Sequence, residues 1–233
     1  LPLVLAALAR EQDGPLLALF PEDADARDAA DSASWFLGGD TVALLPSRGV
    51  GLASGLEPPP HLVGERFRAL DILARGGLVC ASATALSEGL PPVGVRPRPI
   101  ELETGTEPGV DAVVTALAHA GYERVDRVED RGQFAVRGGI VDVFPPGAET
   151  PLRLDFFGDE LETIRKFDAV SQRTIGEETQ LRLIPVSEVV LDDDTISKFR
   201  DRYRAAFGPA SPSDAFYEAI SAGTRHPGLE HWL

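Results

Sequence analysis

The sequence predicts an α/β protein, in which an α/β layer built on a parallel sheet is followed by a second, β-rich domain of α+β character. In the first 90 residues, short apolar runs alternate with segments of helical periodicity, a pattern typical of strand–helix–strand units with parallel strands. Between residues 122 and 186, short β-rich runs follow one another, separated by Gly, Pro and Asp turns. That second pattern is typical of an antiparallel sheet.

The predicted domain boundaries follow changes in composition. Residues 1–95 form the α/β domain, and residues 96–186 form the β-rich domain. The two are joined by an extended crossing at residues 93–99, which contains two arginines and two prolines. Helical patterns return after Pro185, so residues 187–233 are predicted to be a helical segment.

Three apolar runs are predicted to be the parallel strands of the first domain: Leu16–Phe20, Thr41–Leu45 and Leu78–Ser82. Because the first run is continuously apolar, we expect that strand to be buried on both faces. The intervening helices are predicted at residues 3–10, 21–36, 61–75 and 83–90. The buried side of the helix at 61–75 is predicted to consist of its large apolar residues, Leu62, Phe67, Leu70, Ile72 and Leu73.

The second domain is predicted to begin with a short strand at residues 100–102 and a helix at 109–120. Its main strands are expected at residues 122–128, 133–137, 140–144, 151–157, 160–167 and 180–184. Two helices follow, at residues 195–207 and from Ser211 to about Ala222. Ser211 followed by Pro212 is the pattern of an N-cap with proline at the first helical position.

The strand at 151–157 presents two unlike faces. Side chains alternate along a strand, so Leu152, Leu154 and Phe156 form a core face. The other face carries Arg153, Asp155 and Phe157, and a large aromatic side chain beside two opposite charges is unusual for a solvated face. Arg and aromatic residues dominate many binding interfaces, so this face is a candidate docking surface.

Arg137 on the neighbouring strand is a further candidate, because alternation places it opposite the core residues Phe134 and Val136. If both strands belong to one sheet, Arg137 is expected near Arg153. The residues alone leave two interpretations open: a docking surface, or ordinary salt bridges on an acidic protein.

Enzymatic chemistry has no support in the sequence. A Walker A loop needs lysine after a Gly-rich turn, and neither Lys166 nor Lys198 follows a glycine, so no ATPase activity is expected. The four histidines lack metal-ligand spacing, and the three aspartates at 192–194 precede a helix, where acidic residues stabilise the N-terminus. No nucleophile elbow occurs. We therefore expect no catalytic residue, cofactor or metal.

Composition restricts the cellular context. The net charge of −15 argues against a general nucleic-acid binder. The single cysteine, Cys80, lies in an apolar run and is expected to be a buried, inert thiol in a cytoplasmic protein. No apolar run approaches the length that spans a bilayer. Because the chain contains no methionine and ends on Trp232-Leu233, we expect it to be part of a longer protein.

Two segments closely resemble the bacterial transcription-repair coupling factors. They are residues 134–145, F-A-V-R-G-G-I-V-D-V-F-P, and residues 153–160, R-L-D-F-F-G-D-E. The similarity continues at residues 64–66, 90–92, 167–168, 171–174, 217–221 and 227–232. The matching part of those proteins is their N-terminal module, which is similar to the excision-repair protein UvrB.

The resemblance implies a UvrB-like fold, with a degenerate helicase-like domain 1 (parts 1a and 1b) and an inserted domain 2. Residues 187–233 would then be part 1b and complete the first domain. It also implies that domain 2 binds UvrA and recruits excision repair to stalled RNA polymerase. Family contacts match Arg137, Arg153 and Phe157, with Asp155 and Phe156 suggested by the corresponding UvrB segment.

Contacts with RNA polymerase and DNA, and an ATP-driven translocase motor, are expected only in other domains of the longer protein. Two alternatives stay open. The first is a vestigial helicase-like domain that retains nucleotide or DNA binding. The second is an autoinhibitory domain whose docking face covers another part of the same protein.

Overall fold

The structure is a computed structural model that describes residues 1–51, 54–90, 96–208, 213–229 and 232. The chain divides into two compact units. Unit 1 contains residues Leu1–Gly51 and Leu62–Leu90, and unit 2 contains residues Leu52–His61 and Pro91–Leu233. The prediction of a mixed α/β architecture with parallel and antiparallel sheets is confirmed.

Unit 1 is built on a three-stranded parallel sheet in the order β1-β3-β2. Its strands are β1 (Leu16–Phe20), β2 (Val42–Leu45) and β3 (Leu78–Ser82), and its helices are α1 (Pro2–Glu11), α2 (Asp23–Leu37), α3 (Pro60–Ala74) and α4 (Ala83–Ser87). Helix α2 packs its alanines on one face of the sheet, and α3 packs Ala69 and Ile72 on the other. Small side chains let α2 lie close to the strands.

Two predictions for unit 1 are wrong. Strand β1 is not buried on both faces, because Leu17 and Leu19 are 42% and 60% exposed. Among the described residues β1 pairs with β3 alone, so it is an edge strand, and its inward residues pack only on the α2 side.

The buried side of α3 also differs from the prediction. It consists of Val63, Gly64, Arg66, Ala69 and Ile72, while four of the five predicted residues are half-buried. Arg66 is buried because backbone carbonyl oxygens and Glu88 accept its hydrogen bonds. Several buried residues of α3 are small, and Arg66 is charged and hydrogen-bonded. A search for apolar periodicity does not detect residues of these kinds.

Unit 2 contains a six-stranded sheet in the order β10-β9-β8-β7-β6-β5, in which every pairing is antiparallel except β5 with β6. The strands are β5 (Glu123–Arg124), β6 (Gln133–Arg137), β7 (Ile140–Val143), β8 (Leu152–Phe157), β9 (Glu160–Phe167) and β10 (Thr174–Glu178). A separate antiparallel pair joins β4 (Ile100–Glu103) to β11 (Gln180–Leu183). Helix α5 (Val110–His119) covers one face of the six-stranded sheet with Val113 and Leu117.

Two strand predictions need correction. The strand expected at 122–128 contains only two residues, and the strand at 174–178 was not predicted. A register shift between Thr174 and Gly176 interrupts the alternation of β10, which hides it from a search for strict period-2 patterns.

Two further helices follow, α6 (Asp193–Phe207) and α7 (Ala215–Ser221). Asp192 caps α6 in a capping box with Thr195, so the predicted capping role of this acidic segment is confirmed. The N-cap of α7 is Asp214, whose Oδ1 accepts hydrogen bonds from the backbone N–H of Phe216 and Tyr217. Ser211 and Pro212, where the sequence predicted the helix to start, lie outside the described residues, as do residues 93–95 of the predicted crossing.

The segment after residue 186 groups with unit 2 in the structure. The N–H of Val186 donates to the Ala120 carbonyl oxygen at 2.9 Å, and Arg225 donates to Ser187 Oγ and to the Val189 carbonyl oxygen. The resemblance implied that this segment completes the first domain, and that assignment stays a prediction. In the described part of the chain, no helix is both long enough and apolar enough to cross a membrane.

Candidate docking site

Strand β8 separates a core face from an outer face, as the alternation predicted. Leu152, Leu154 and Phe156 lie in the main hydrophobic core of unit 2. On the outer face, Arg153 and Asp155 are half-buried, and Phe157 is 75% exposed. Phe156 is only 9% exposed, so its position favours a supporting role over direct contact with a partner.

Arg153 is held by three neighbouring side chains. Its Nε and Nη2 donate to the two carboxylate oxygens of Asp142 at 2.7 and 2.8 Å, and Nη2 also donates to Gln172 Oε1 at 3.1 Å. The guanidinium carbon lies 4.6 Å from the centre of the buried Phe167 ring, a cation–π arrangement. The hydrogen bonds to Asp142 raise the pKa of Arg153 above its usual range.

Asp155 pairs with β9. Its Oδ2 accepts from Arg165 Nε at 3.0 Å, from Arg165 Nη2 at 2.5 Å and from Thr163 Oγ1 at 2.9 Å. Thr163 is the direct register partner of Asp155, so the carboxylate is held by the facing strand. The outer face of β8 therefore carries two consecutive charge pairs with fixed geometry.

Phe157 ends β8 immediately before a two-residue turn, Gly158-Asp159. Gly158 has a φ of 63°, the left-handed conformation that glycine adopts without strain at the first position of such a turn. The turn is fixed from outside the hairpin, because the N–H of Gly109 donates to the Asp159 carbonyl oxygen at 3.0 Å. The exposed aromatic ring is thus carried by an anchored backbone.

Arg137 lies on the same sheet but two strands from β8. Its register partner on β7 is Ile140, whose partner on β8 is Asp155. Two strand spacings place Arg137 about 10 Å from the Asp155 backbone. Arg137 is exposed, and its Nη2 donates to the Asp126 carbonyl oxygen at 2.8 Å. The two predicted arginines therefore share a sheet but are separated by β7.

Sequence reasoning missed the residues that hold Arg153. Asp142 is the register partner of Arg153 on β7, so strand alternation alone could have placed it on the outer face. Gln172 lies beyond β9 in an irregular turn, and no sequence pattern indicates that its side chain folds back to β8. The acidic residues at 159, 160 and 162 are exposed along the hairpin edge.

At the carboxyl edge of the unit 1 sheet, polar side chains of unit 1 form hydrogen bonds with one another. At the start of α2, the Asp23 carboxylate accepts hydrogen bonds from the Ser47 N–H at 3.1 Å and from Ser47 Oγ at 2.5 Å. Burial raises the pKa of Asp23, but hydrogen bonds from Ser47 and Ser82 bring it below its usual value. A carboxylate at a helix N-terminus disfavours a phosphate in the same place. Among the described residues, no cluster of three or more His, Cys, Asp or Glu side chains could hold a metal ion.

Comparison with known proteins shows which family of domains unit 2 matches. Residues 100–189, which contain every predicted contact residue, match the family model of the UvrB interaction domain. The chain is 31% identical to the transcription-repair-coupling factor of Escherichia coli K12 over 232 residues, which cover 98% of this chain and 20% of that protein.

Two further relatives carry the same name. The protein of Haemophilus influenzae is 35% identical over 179 residues, covering 75% of this chain and 16% of that protein. The protein of Mycobacterium tuberculosis CDC 1551 is 39% identical over 224 residues, covering 91% and 18% respectively. The chain therefore spans about a fifth of the length of these relatives.

Proposed function

The chain belongs to the transcription-repair-coupling factors, and from this premise we propose that it is a non-catalytic module that binds UvrA through the outer face of β8. In this proposal the module recruits nucleotide excision repair to stalled RNA polymerase. Contacts with RNA polymerase and DNA would be made by other parts of the longer protein. The docking surface comprises Phe157, Arg153 and Arg137, with Asp155 at its edge and Phe156 beneath it.

The observation that carries this proposal is the exposed ring of Phe157 on the same strand face as a preorganised Arg153. The two residues are four positions apart on one strand, which places them about 13 Å from each other along β8. Arg153 is already ordered by Asp142, so binding would cost little further side-chain entropy. An exposed aromatic anchor that shares a sheet face with ordered arginines has the composition of an interface hot spot.

The surroundings of Arg153 and Phe157 also favour particular chemical groups on the partner surface. Two nitrogens of the Arg153 guanidinium are engaged by Asp142 and Gln172, and within the described contacts the two N–H groups of Nη1 are left for an external acceptor. Phe157 requires an apolar pocket. We therefore expect the UvrA surface to pair a hydrogen-bond acceptor, such as a carboxylate, with an apolar pocket.

Calorimetric titration of the purified chain with UvrA tests the proposal. Phe157→Ala and Arg153→Ala are each expected to weaken binding by about 2 kcal/mol, or roughly 30-fold. Trp35→Ala and Arg75→Ala are matched controls, because both residues are exposed on unit 1, and they are expected to leave the affinity unchanged. Unchanged affinity in both Phe157→Ala and Arg153→Ala would exclude this docking surface.

The two alternatives have separate tests. Residual nucleotide binding would appear as saturable binding of a fluorescent ATP analogue, and Asp23 at the start of α2 argues against it. An autoinhibitory role would appear as weaker UvrA binding by the full-length protein than by this chain. No observed contact favours either alternative over the UvrA-binding proposal.

A further inference from the structure

A tight turn follows β9 at residues 168–173, which we name the 168–173 turn. The N–H of Gln172 donates to the Asp168 carbonyl oxygen at 2.8 Å, and the N–H of Asp168 donates to the Arg173 carbonyl oxygen at 3.0 Å. The Asp168 side chain accepts from the Ser171 N–H at 2.7 Å. Gln172 has a φ of 60°, a conformation that side-chain-bearing residues adopt uncommonly. The turn is therefore a defined structure and not an open loop.

Gln172 connects this turn to the proposed docking surface. Its Oε1 accepts from Arg153 Nη2 at 3.1 Å, and its Nε2 donates to the Ala169 carbonyl oxygen at 2.8 Å. One amide thus joins the guanidinium of Arg153 to the backbone of the turn. The left-handed backbone at Gln172 is sparsely populated because it carries strain, and such conformations concentrate at functional sites.

A second arginine fixes the far side of the turn. Arg127 Nη2 donates to the carbonyl oxygens of Ala169 and Val170 at 3.0 and 3.3 Å. Val170 itself is 86% exposed, although the backbone on both sides of it is hydrogen-bonded. An apolar side chain held outward on an ordered backbone loses little conformational entropy when a partner covers it.

We propose that the 168–173 turn is the second half of the docking surface, in which Val170 contacts the partner and Gln172 positions Arg153. This inference rests on the proposed function and extends its surface from Phe157, across Arg153, to Val170. The partner would then carry two apolar contacts on either side of the acceptor that receives Arg153. Gln172 is a positioning residue, because it acts through Arg153.

Titration of UvrA against the Val170→Asp variant tests the contact. Affinity is expected to fall at least tenfold, because the introduced carboxylate must be desolvated against an apolar surface. Val4→Asp is the matched control, since Val4 is an exposed valine on α1 of unit 1, and it should bind UvrA like the wild-type chain.

The outcomes separate this inference from the function on which it rests. Absence of UvrA binding by the wild-type chain would overturn both. If the wild-type chain binds, Phe157→Ala weakens binding and Val170→Asp binds normally, then Val170 is outside the interface and only the further inference fails.

Gln172→Gly tests the positioning role. Glycine adopts the left-handed backbone readily, so the turn is kept while both amide hydrogen bonds are removed. We expect the Kd for UvrA to rise about threefold to tenfold in the wild-type background and to stay unchanged in the Arg153→Ala background. The thermal midpoint should not fall. Equal losses in both backgrounds, or a lowered thermal midpoint, would show a merely structural role and overturn the positioning role.

Discussion

Asp142 accepts two parallel hydrogen bonds from Arg153, at 2.7 and 2.8 Å, across neighbouring strands. The side chain of Asp142 is 6% exposed, whereas that of Arg153 is 22% exposed. The carboxylate is therefore the buried member of the pair, and the guanidinium is the member that a partner can reach. This asymmetry allows one ion pair to contribute both to the stability of the sheet and to the proposed docking surface.

Removing the buried member should destabilise unit 2. Asp142→Ala leaves the partly buried Arg153 without its main acceptor, and we expect the free energy of unfolding to fall by about 2–3 kcal/mol. Glu178→Ala, which removes the exposed partner of Lys166 on the same sheet, should cost at most about 1 kcal/mol. Chemical denaturation followed by circular dichroism measures both. Equal costs for the two variants would contradict the importance of burial at Asp142.

Gly139 is predicted to be intolerant of any side chain. A Cβ at this position would lie 2.7 Å from the Phe156 carbonyl oxygen, a backbone atom that cannot move aside. Gly139→Ala should therefore destabilise unit 2 by about 1–3 kcal/mol and weaken UvrA binding, because the backbone next to Phe157 must shift. Gly147→Ala is the control, since a Cβ there meets nothing within 4 Å. A Gly139→Ala chain as stable as the Gly147→Ala chain would show that the two strands separate at little cost.

Glu88 is predicted to form a strongly stabilising ion pair in unit 1. Its carboxylate accepts from Arg66 Nη1 at 3.3 Å and from the Arg48 N–H at 2.8 Å, and Arg66 is fully buried. Glu88→Gln removes the carboxylate charge that faces the buried Arg66, and we expect a loss of about 2–4 kcal/mol in unfolding free energy. Glu65→Gln removes the exposed pair with Arg27 and should cost less than about 1 kcal/mol. Thermal denaturation of the two variants distinguishes a buried from a solvated ion pair.

The 168–173 turn is expected to loosen in acid. The hydrogen bond from the Ser171 N–H holds the pKa of Asp168 below its ordinary value of 3.8. A carboxylate with a lowered pKa stabilises the folded form fully above its unfolded-state pKa, and that contribution is lost as the pH falls through the folded-state pKa. NMR titration of the Ser171 amide should show a transition below pH 3.8, and the transition should be absent in Asp168→Asn. A transition of equal size in both chains would assign it to another group.

Strand alternation predicted the two faces of β8 correctly, because its pairing with β7 contains no bulge and every second residue from Leu152 to Phe156 lies in the core. It failed where burial depends on polar groups. Arg66 is buried through hydrogen bonds to carbonyl oxygens that come from distant loops, and no local pattern predicts those partners.

The sequence predicted which residues form the candidate site, but not which side chains hold them in place. Arg153, Phe157 and Arg137 were named from alternation and resemblance. Asp142 and Gln172, which hold Arg153, lie 11 and 19 residues away in sequence. Their contact depends on the register of three strands and on a left-handed backbone at Gln172, both of which are set by tertiary structure.

Cys80 lies fully buried in the central strand of unit 1, where burial raises the pKa of its thiol to about 11. Because it is the only cysteine in the chain, a thiol reagent labels unit 1 and cannot label unit 2. Near neutral pH the labelling rate should follow the opening of unit 1 alone. Perturbations of the docking surface in unit 2 could then be separated from loss of the α/β layer within a single sample.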